Sequence, residues 1–233
     1  MVTQLPSDGT SPARSDVGCD TSGMLVIHRA LRRVFSDAPN LVRDVPPSDT
    51  KRSAVIANHV AEFAEVLHNH HITEDESLWD TLEQRSPACA LHVGQMKSQH
   101  AQVADLLHEL AAELPEWRAS ADPAARARVA GVLDRIHSAL STHLSQEETQ
   151  ILPVAAVTMT QREWDAFGER GLASVPKNRL MVQLGYVLDP FTPDERITWM
   201  KTTLPGIARV LYRTVGRRQY ESDYRRIYGK QPS

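Results

Sequence analysis

The sequence predicts an all-α protein: a four-helix up-down bundle built from a duplicated helix pair, followed by a C-terminal helical extension. Three observations carry this. Nearly every patterned segment repeats its apolar residues at the helical period, and none alternates as a strand would. The stripe Ile56, Val60, Phe63, Leu67, His70, Glu74, Leu78 recurs 73 residues later as Val129, Leu133, Ile136, Leu140, His143, Glu147, Ile151. Met24, His28 and Leu31 recur 72 residues later as Met96, His100 and Val103. Four amphipathic helices with connections of moderate length close into a bundle.

The first helix is expected over about Ser22–Asp37, with Pro39, Pro46 and Pro47 breaking the chain after it. A second begins near Ser48 and ends at the turn around Ser86 and Pro87. The third carries Met96, His100, Val103, Leu107 and Leu110, and Leu114-Pro115 should end it. Asp122-Pro123 opens the fourth, as an N-cap followed by proline in the first turn, and Pro153 should close it.

Beyond Pro153 the pattern changes. Thr160-Gln161-Arg162-Glu163 and Thr192-Pro193-Asp194-Glu195 are capping boxes that open two short helices. A last helix follows Pro205, with Tyr212, Tyr220, Tyr224 and Tyr228 near one side, where they can dock onto the bundle. Its arginines, Arg209, Arg213, Arg217, Arg218, Arg225 and Arg226, read as a solvated face. The chain thus divides into a leader over residues 1–20, a bundle over 21–155 and an extension over 156–233 that packs on it. The leader is rich in Ser, Asp, Gly, Thr and Pro and is expected to be disordered.

Bulk properties exclude several classes. A net charge of -3 argues against a dedicated nucleic-acid binder. Two cysteines, Cys19 and Cys89, are too few for a disulfide scaffold and fit thiols in a reducing cytosol. There is no apolar run long enough to span a membrane and no visible secretory signal, so the expected location is cytoplasmic.

The chemistry lies in the duplication. His70 with Glu74, and His143 with Glu147, stand four apart and so share a helix face. His28 and His100 sit singly on the apolar stripes of the other two helices. A carboxylate on a core face is costly unless it is paired or binds a metal. His28, His70, Glu74, His100, His143 and Glu147 therefore read as ligands to two cations inside the bundle. His71, four before Asp75, is an alternative to His70. The stripe favours His70, and so does the second copy, in which Leu144 stands where His71 does. Asp75 and Glu148 read as outer or surface groups. A nitrogen and oxygen donor set without thiolate suits iron or manganese, and also zinc. Four histidines and two bridging carboxylates leave room on each ion for a small molecule.

This duplicated set resembles the hemerythrin-like, cation-binding His-His-Glu family over about residues 22–153. The resemblance implies a non-haem di-iron centre with a bridging oxo or hydroxo group, manganese or zinc being a lesser fit. Its implied partner is a small diatomic or peroxide ligand. Members of the wider family are linked to peroxide breakdown, oxidase chemistry, nitric oxide responses and iron or oxygen sensing. The resemblance therefore implies a protein that binds or reacts with O2, H2O2 or NO, as a peroxide-disproportionating or oxygen-activating oxidoreductase. The alternative is a sensing or oxygen-binding module without turnover. One departure stands out. The oxygen carriers place two histidines four apart on the third helix, whereas Met96 and Ala104 flank His100 here. One ion is then expected to lack a histidine, which weakens the case for simple oxygen carriage.

Overall fold

Two hairpins of long helices surround one axis in the computed structural model, which describes residues 17–232. α1 (Ser22–Arg43) and α2 (Thr50–Ser77) form the first hairpin. A short helix α3 (Trp79–Arg85) and a 3-10 turn (Pro87–Cys89) lead into the second, α4 (Ala90–Ser120) and α5 (Pro123–Gln146). α1 packs on α2 and α5, and α4 on α2 and α5, so neighbours in sequence are neighbours in space and the ring closes. Two of the four starts are capped by side chains: Asp49 accepts from the Arg52 N–H, and Asp122 from the N–H groups of Ala124 and Ala125.

The core is divided along the bundle axis. On α1 the order is Met24, His28, Leu31; on α2 and its C-cap it is Leu67, His70, Glu74, Leu78. On α4 it is Met96, His100, Val103; on α5 and the π turn that continues it (Glu147–Ile151) it is Leu140, His143, Glu147, Ile151. Leu31, Leu67, Val103 and Leu140 belong to one large apolar cluster, and Met24, Leu78, Met96 and Ile151 to a second, smaller one. Every helix therefore crosses the same polar layer, sealed by hydrocarbon above and below.

Four expected helix ends lie elsewhere. The second helix ends at Ser77, and Leu78 separates it from α3, which reaches the expected turn at Ser86. α1 continues through Pro39 to Arg43, because Val42 and Val45 beyond it are fully buried and hold the last turn on the core. α4 continues through Pro115 to Ser120, anchored by Trp117, which is also fully buried. In both, packing outweighs the roughly 3 kcal/mol that an interior proline costs a helix. The chain also does not stop at Pro153. A wide π turn (Glu147–Ile151) accommodates this residue, which lacks an N–H, and α6 (Leu152–Thr158) follows. Most of the expected leader, residues 1–16, lies outside the described residues. Its last part is not free: the Gly18 and Cys19 N–H groups donate to the carbonyls of Met159 and Ala156, at 2.8 and 3.0 Å.

The extension holds α7 (Gln161–Ala173), α8 (Leu180–Leu188), α9 (Pro193–Thr203) and α10 (Gly206–Leu211). A π turn (Tyr212–Gly216) then runs on into α11 (Arg217–Tyr228). Both expected capping boxes form, Thr160 with Glu163 and Thr192 with Glu195. Tyr212, Tyr220 and Tyr224 are buried, as docking of the tyrosine stripe requires. The joint to the bundle is partly apolar, with Val182, Tyr186 and Ile227 joining the large cluster and the Tyr186 ring meeting Phe63 edge-on, and partly polar. Arg179 donates to both oxygens of Glu62 on α2, at 2.9 and 2.7 Å, and to Asp223 on α11 at 3.2 Å. The Tyr186 hydroxyl donates to the other Asp223 oxygen at 3.0 Å.

α8 reaches α11 only because Gly185 has no side chain: a Cβ there would lie 2.1 Å from the Tyr220 ring. Gly185→Ala should therefore push the two helices apart and lower stability by about 1–3 kcal/mol. Chemical denaturation followed by far-ultraviolet circular dichroism checks this.

Candidate metal centre

All six residues singled out in the sequence meet in the polar layer. Glu74 divides its two oxygens between the halves of the site. Oε1 lies 3.3 Å from His70 Nε2, and Oε2 lies 3.3 Å from His100 Nε2. Glu147 Oε2 faces both His28 Nε2 at 3.3 Å and His143 Nε2 at 3.6 Å. Both carboxylates are fully buried.

The structure brings in a seventh residue. His71 is buried and its ring stacks on that of His100, with centroids 4.0 Å apart. Both His70 and His71 thus turn inward, rather than one in place of the other. Among the described residues two donor groups stand out: His28, His70, Glu74 and Glu147, and His71, Glu74, His100 and His143. Within each group one donor atom per residue lies within 4.8 Å of all the others, and Glu74 belongs to both. The histidine expected to be missing beside His100 is matched by His71, reaching across from α2. Its position lies off the repeated stripe, and its counterpart Leu144 is part of the apolar core. The signs of it in the sequence were a His-His pair next to an acidic pair and the spacing of four from His71 to Asp75.

The local backbone repeats too. α2 breaks at Leu78, with φ -105 and ψ -50, and the second copy distorts at the equivalent Ile151, with φ -102 and ψ -53. Each irregularity falls one turn after the buried glutamate, where the chain departs from a regular helix.

A second layer of contacts orients the imidazoles, and it crosses between the hairpins. His28 on the first hairpin directs Nδ1 to Glu148 on the second at 3.0 Å. His100 on the second directs Nδ1 to Asp75 on the first at 2.7 Å. Asp75 also accepts from the Trp79 indole at 2.6 Å, and Glu148 from Arg32 at 2.7 Å. His143 Nδ1 faces Gln99 Oε1 at 3.2 Å. With each Nδ1–H donating to an oxygen, three Nε2 lone pairs are aimed inward. Asp75 and Glu148 are thus outer groups, as expected, but with a defined task.

Whether the site suits a cation can be judged from its polar atoms. Nε2 of His28, His70 and His71 and all four oxygens of Glu74 and Glu147 are buried without a hydrogen-bond partner. An orphaned buried polar group costs about 1–3 kcal/mol, and a bare charge more. His100 Nε2 and His143 Nε2 also face each other at 3.3 Å. Converging lone pairs and carboxylates are what bound cations would relieve.

Without cations the site must hold protons. Burial, and then the neighbouring imidazoles, drive His70 and His71 well below the ordinary imidazole range, and His143 down to about 3. Burial also acts to lower His100, but the hydrogen bond to Asp75 and the nearby Glu74 carboxylate outweigh it and hold the ring up at about 9. Burial raises Glu74 and Glu147, and the charge of Glu74 raises Glu147 further. Burial would raise Glu148 as well, but hydrogen bonds from His28 and Arg32 bring it to about 2. Above pH 6.5, the ordinary histidine value, the depressed histidines are neutral in both folded and unfolded chains. Between there and about 9, His100 keeps a proton only in the fold, and the raised carboxyls act in the same sense. The metal-free fold binds more protons than the unfolded chain, so its stability falls as pH rises. Thermal melting of the metal-free protein should decline from about pH 7 to about pH 9, and bound metal should remove that decline.

The comparisons agree with this geometry. A model of the hemerythrin HHE cation-binding domain matches residues 21–156. Searches of curated proteins and of solved structures each returned no match. Over those residues, which include the whole bundle and every donor just described, the chain belongs to the hemerythrin HHE cation-binding family.

Proposed function

We propose that this protein is a non-haem di-iron protein that binds or reacts with dioxygen, peroxide or nitric oxide. One observation carries the reading: seven donor residues converge in one layer of the bundle and form two groups that share Glu74. His28, His70, Glu74 and Glu147 would hold one ion, and His71, Glu74, His100 and His143 the other. Glu147, facing both His28 and His143, would help to join them. The all-nitrogen-and-oxygen donor set supports iron over a structural zinc. When bound, a pair of irons supplies a redox couple and Lewis acidity toward a small oxygen or nitrogen ligand. The chain's own part is to exclude water with the two apolar clusters and to fix the imidazoles through Asp75, Glu148 and Gln99. Among the seven, His70 has the side chain least withdrawn from solvent, at 10% exposed against 0% for Glu74, so a small molecule would enter on its side.

One further observation favours a sensing role as the second reading. α2 carries His70, His71 and Glu74, and on the same helix Glu62 anchors the extension through Arg179. Metal occupancy could therefore be felt at the extension.

Elemental analysis of protein purified from its own host tests the metal, and peroxide added to that protein tests turnover. Sustained oxygen evolution supports peroxide disproportionation. No turnover, together with a metal-dependent change in hydrogen exchange of α8 and α11, supports sensing. An empty or zinc-only protein overturns the di-iron reading. Glu74→Ala and Glu147→Ala should each lower the metal content. Retention of two ions per chain in both variants would refute the ligand assignment. His71→Ala should weaken one of the two ions selectively, read as a fall in metal bound per chain. Asp75→Ala and Glu148→Ala should leave the ligands in place but loosen metal by about 10–100-fold, measured by competition with a chelator.

A further inference from the structure

The helix that runs from α10 through its π turn into α11 has two apolar faces, and only one is covered. Tyr212, Gly216 and Tyr220 turn inward and are buried. Ile207, Val210, Leu211 and Val215 turn outward and are 78%, 61%, 47% and 51% exposed. Their spacing of one, three or four residues makes one continuous ridge. Neither α9 nor α10 has a single fully buried side chain, so this arm stands away from the core. The same region is strongly basic. Between Arg196 and Lys230 there are nine Lys or Arg and two acidic residues, although the whole chain is net negative. Arg213 and Arg218 are exposed, and no carboxylate among the described residues lies within ion-pairing distance of either.

We propose that this arm binds the surface of an anionic lipid bilayer, with the Ile207–Val215 ridge entering the interface and Arg213 and Arg218 meeting lipid phosphates. An apolar stripe flanked by arginine is the form an interfacial helix takes. Charge alone would suit a nucleic acid, but phosphate contacts give no reason to expose four aliphatic side chains in a row. A second copy meeting ridge to ridge would set Arg213 and Arg218 against their own equivalents, like charge on like. No helix among the described residues is long and apolar enough to cross a membrane, so the contact is with the surface alone.

Co-sedimentation of the full, metal-loaded chain with vesicles tests this. Binding is expected to phosphatidylglycerol vesicles at low salt, with little to pure phosphatidylcholine, and it should weaken as salt rises. Arg213→Glu with Arg218→Glu should lower the partition coefficient about 25-fold or more, at about fivefold per charge lost. Ile207→Ser with Leu211→Ser should lower it about tenfold or more. These side chains are exposed and remote from the metal donors, so circular dichroism and metal content should not change in either variant. Three results would overturn the proposal: no binding to phosphatidylglycerol vesicles, loss of a solution dimer in the ridge variant on analytical ultracentrifugation without lipid binding, or retention of single- or double-stranded DNA that depends on the arginines alone.

Discussion

Two carboxylates and five imidazoles share one layer of the bundle, and the rest of the molecule is arranged around that fact. Glu74 and Glu147 are fully buried, and no hydrogen bond reaches any of their oxygens. A hydrocarbon core would reject such a group. Here the surrounding histidines bring donor atoms that together could hold cations, and apolar clusters close the layer on either side. The bundle's closed ring follows from the same demand. Donors from four helices must reach one small volume, and only helices running side by side around an axis can supply them.

The irregular backbone has the same origin. Leu78 and Ile151 adopt nearly the same dihedral angles although they lie in different repeats. In each, the chain gives up a regular turn directly after a buried glutamate. Departures of this kind are found at working sites, where side-chain direction matters more than an ideal hydrogen-bond ladder. The donors are therefore held by main-chain shape as well as by packing and by outer hydrogen bonds.

Much of this was legible in the sequence because periodicity records burial. The offsets of 73 and 72 residues placed His28, His70, Glu74, His100, His143 and Glu147 on inward faces, and all six meet. His71 was read only as an alternative to His70, because it lies off the repeated stripe and its counterpart in the second repeat is an ordinary core leucine. Its part becomes clear only when α4 brings His100 against its ring, which no spacing encodes. Gln99 escaped notice for a similar reason: it is polar, sits beside a ligand candidate, and becomes meaningful only when α5 brings His143 to it. Pro39 and Pro115 misled because local propensity is weak against tertiary burial. Val42 and Trp117 keep the helices going where the prolines alone would end them.

The crossed orientation of His28 by Glu148 and of His100 by Asp75 has a consequence for how the architecture must assemble. Neither half is self-sufficient: each lends an acid to the other's imidazole and borrows one in return. Severing the chain between α3 and α4 would yield two fragments that each lack the means to steer their own ring. Such pieces could regain a working geometry only by embracing one another. Intramolecular tethering thus converts what would otherwise be a concentration-dependent encounter into a single cooperative folding event.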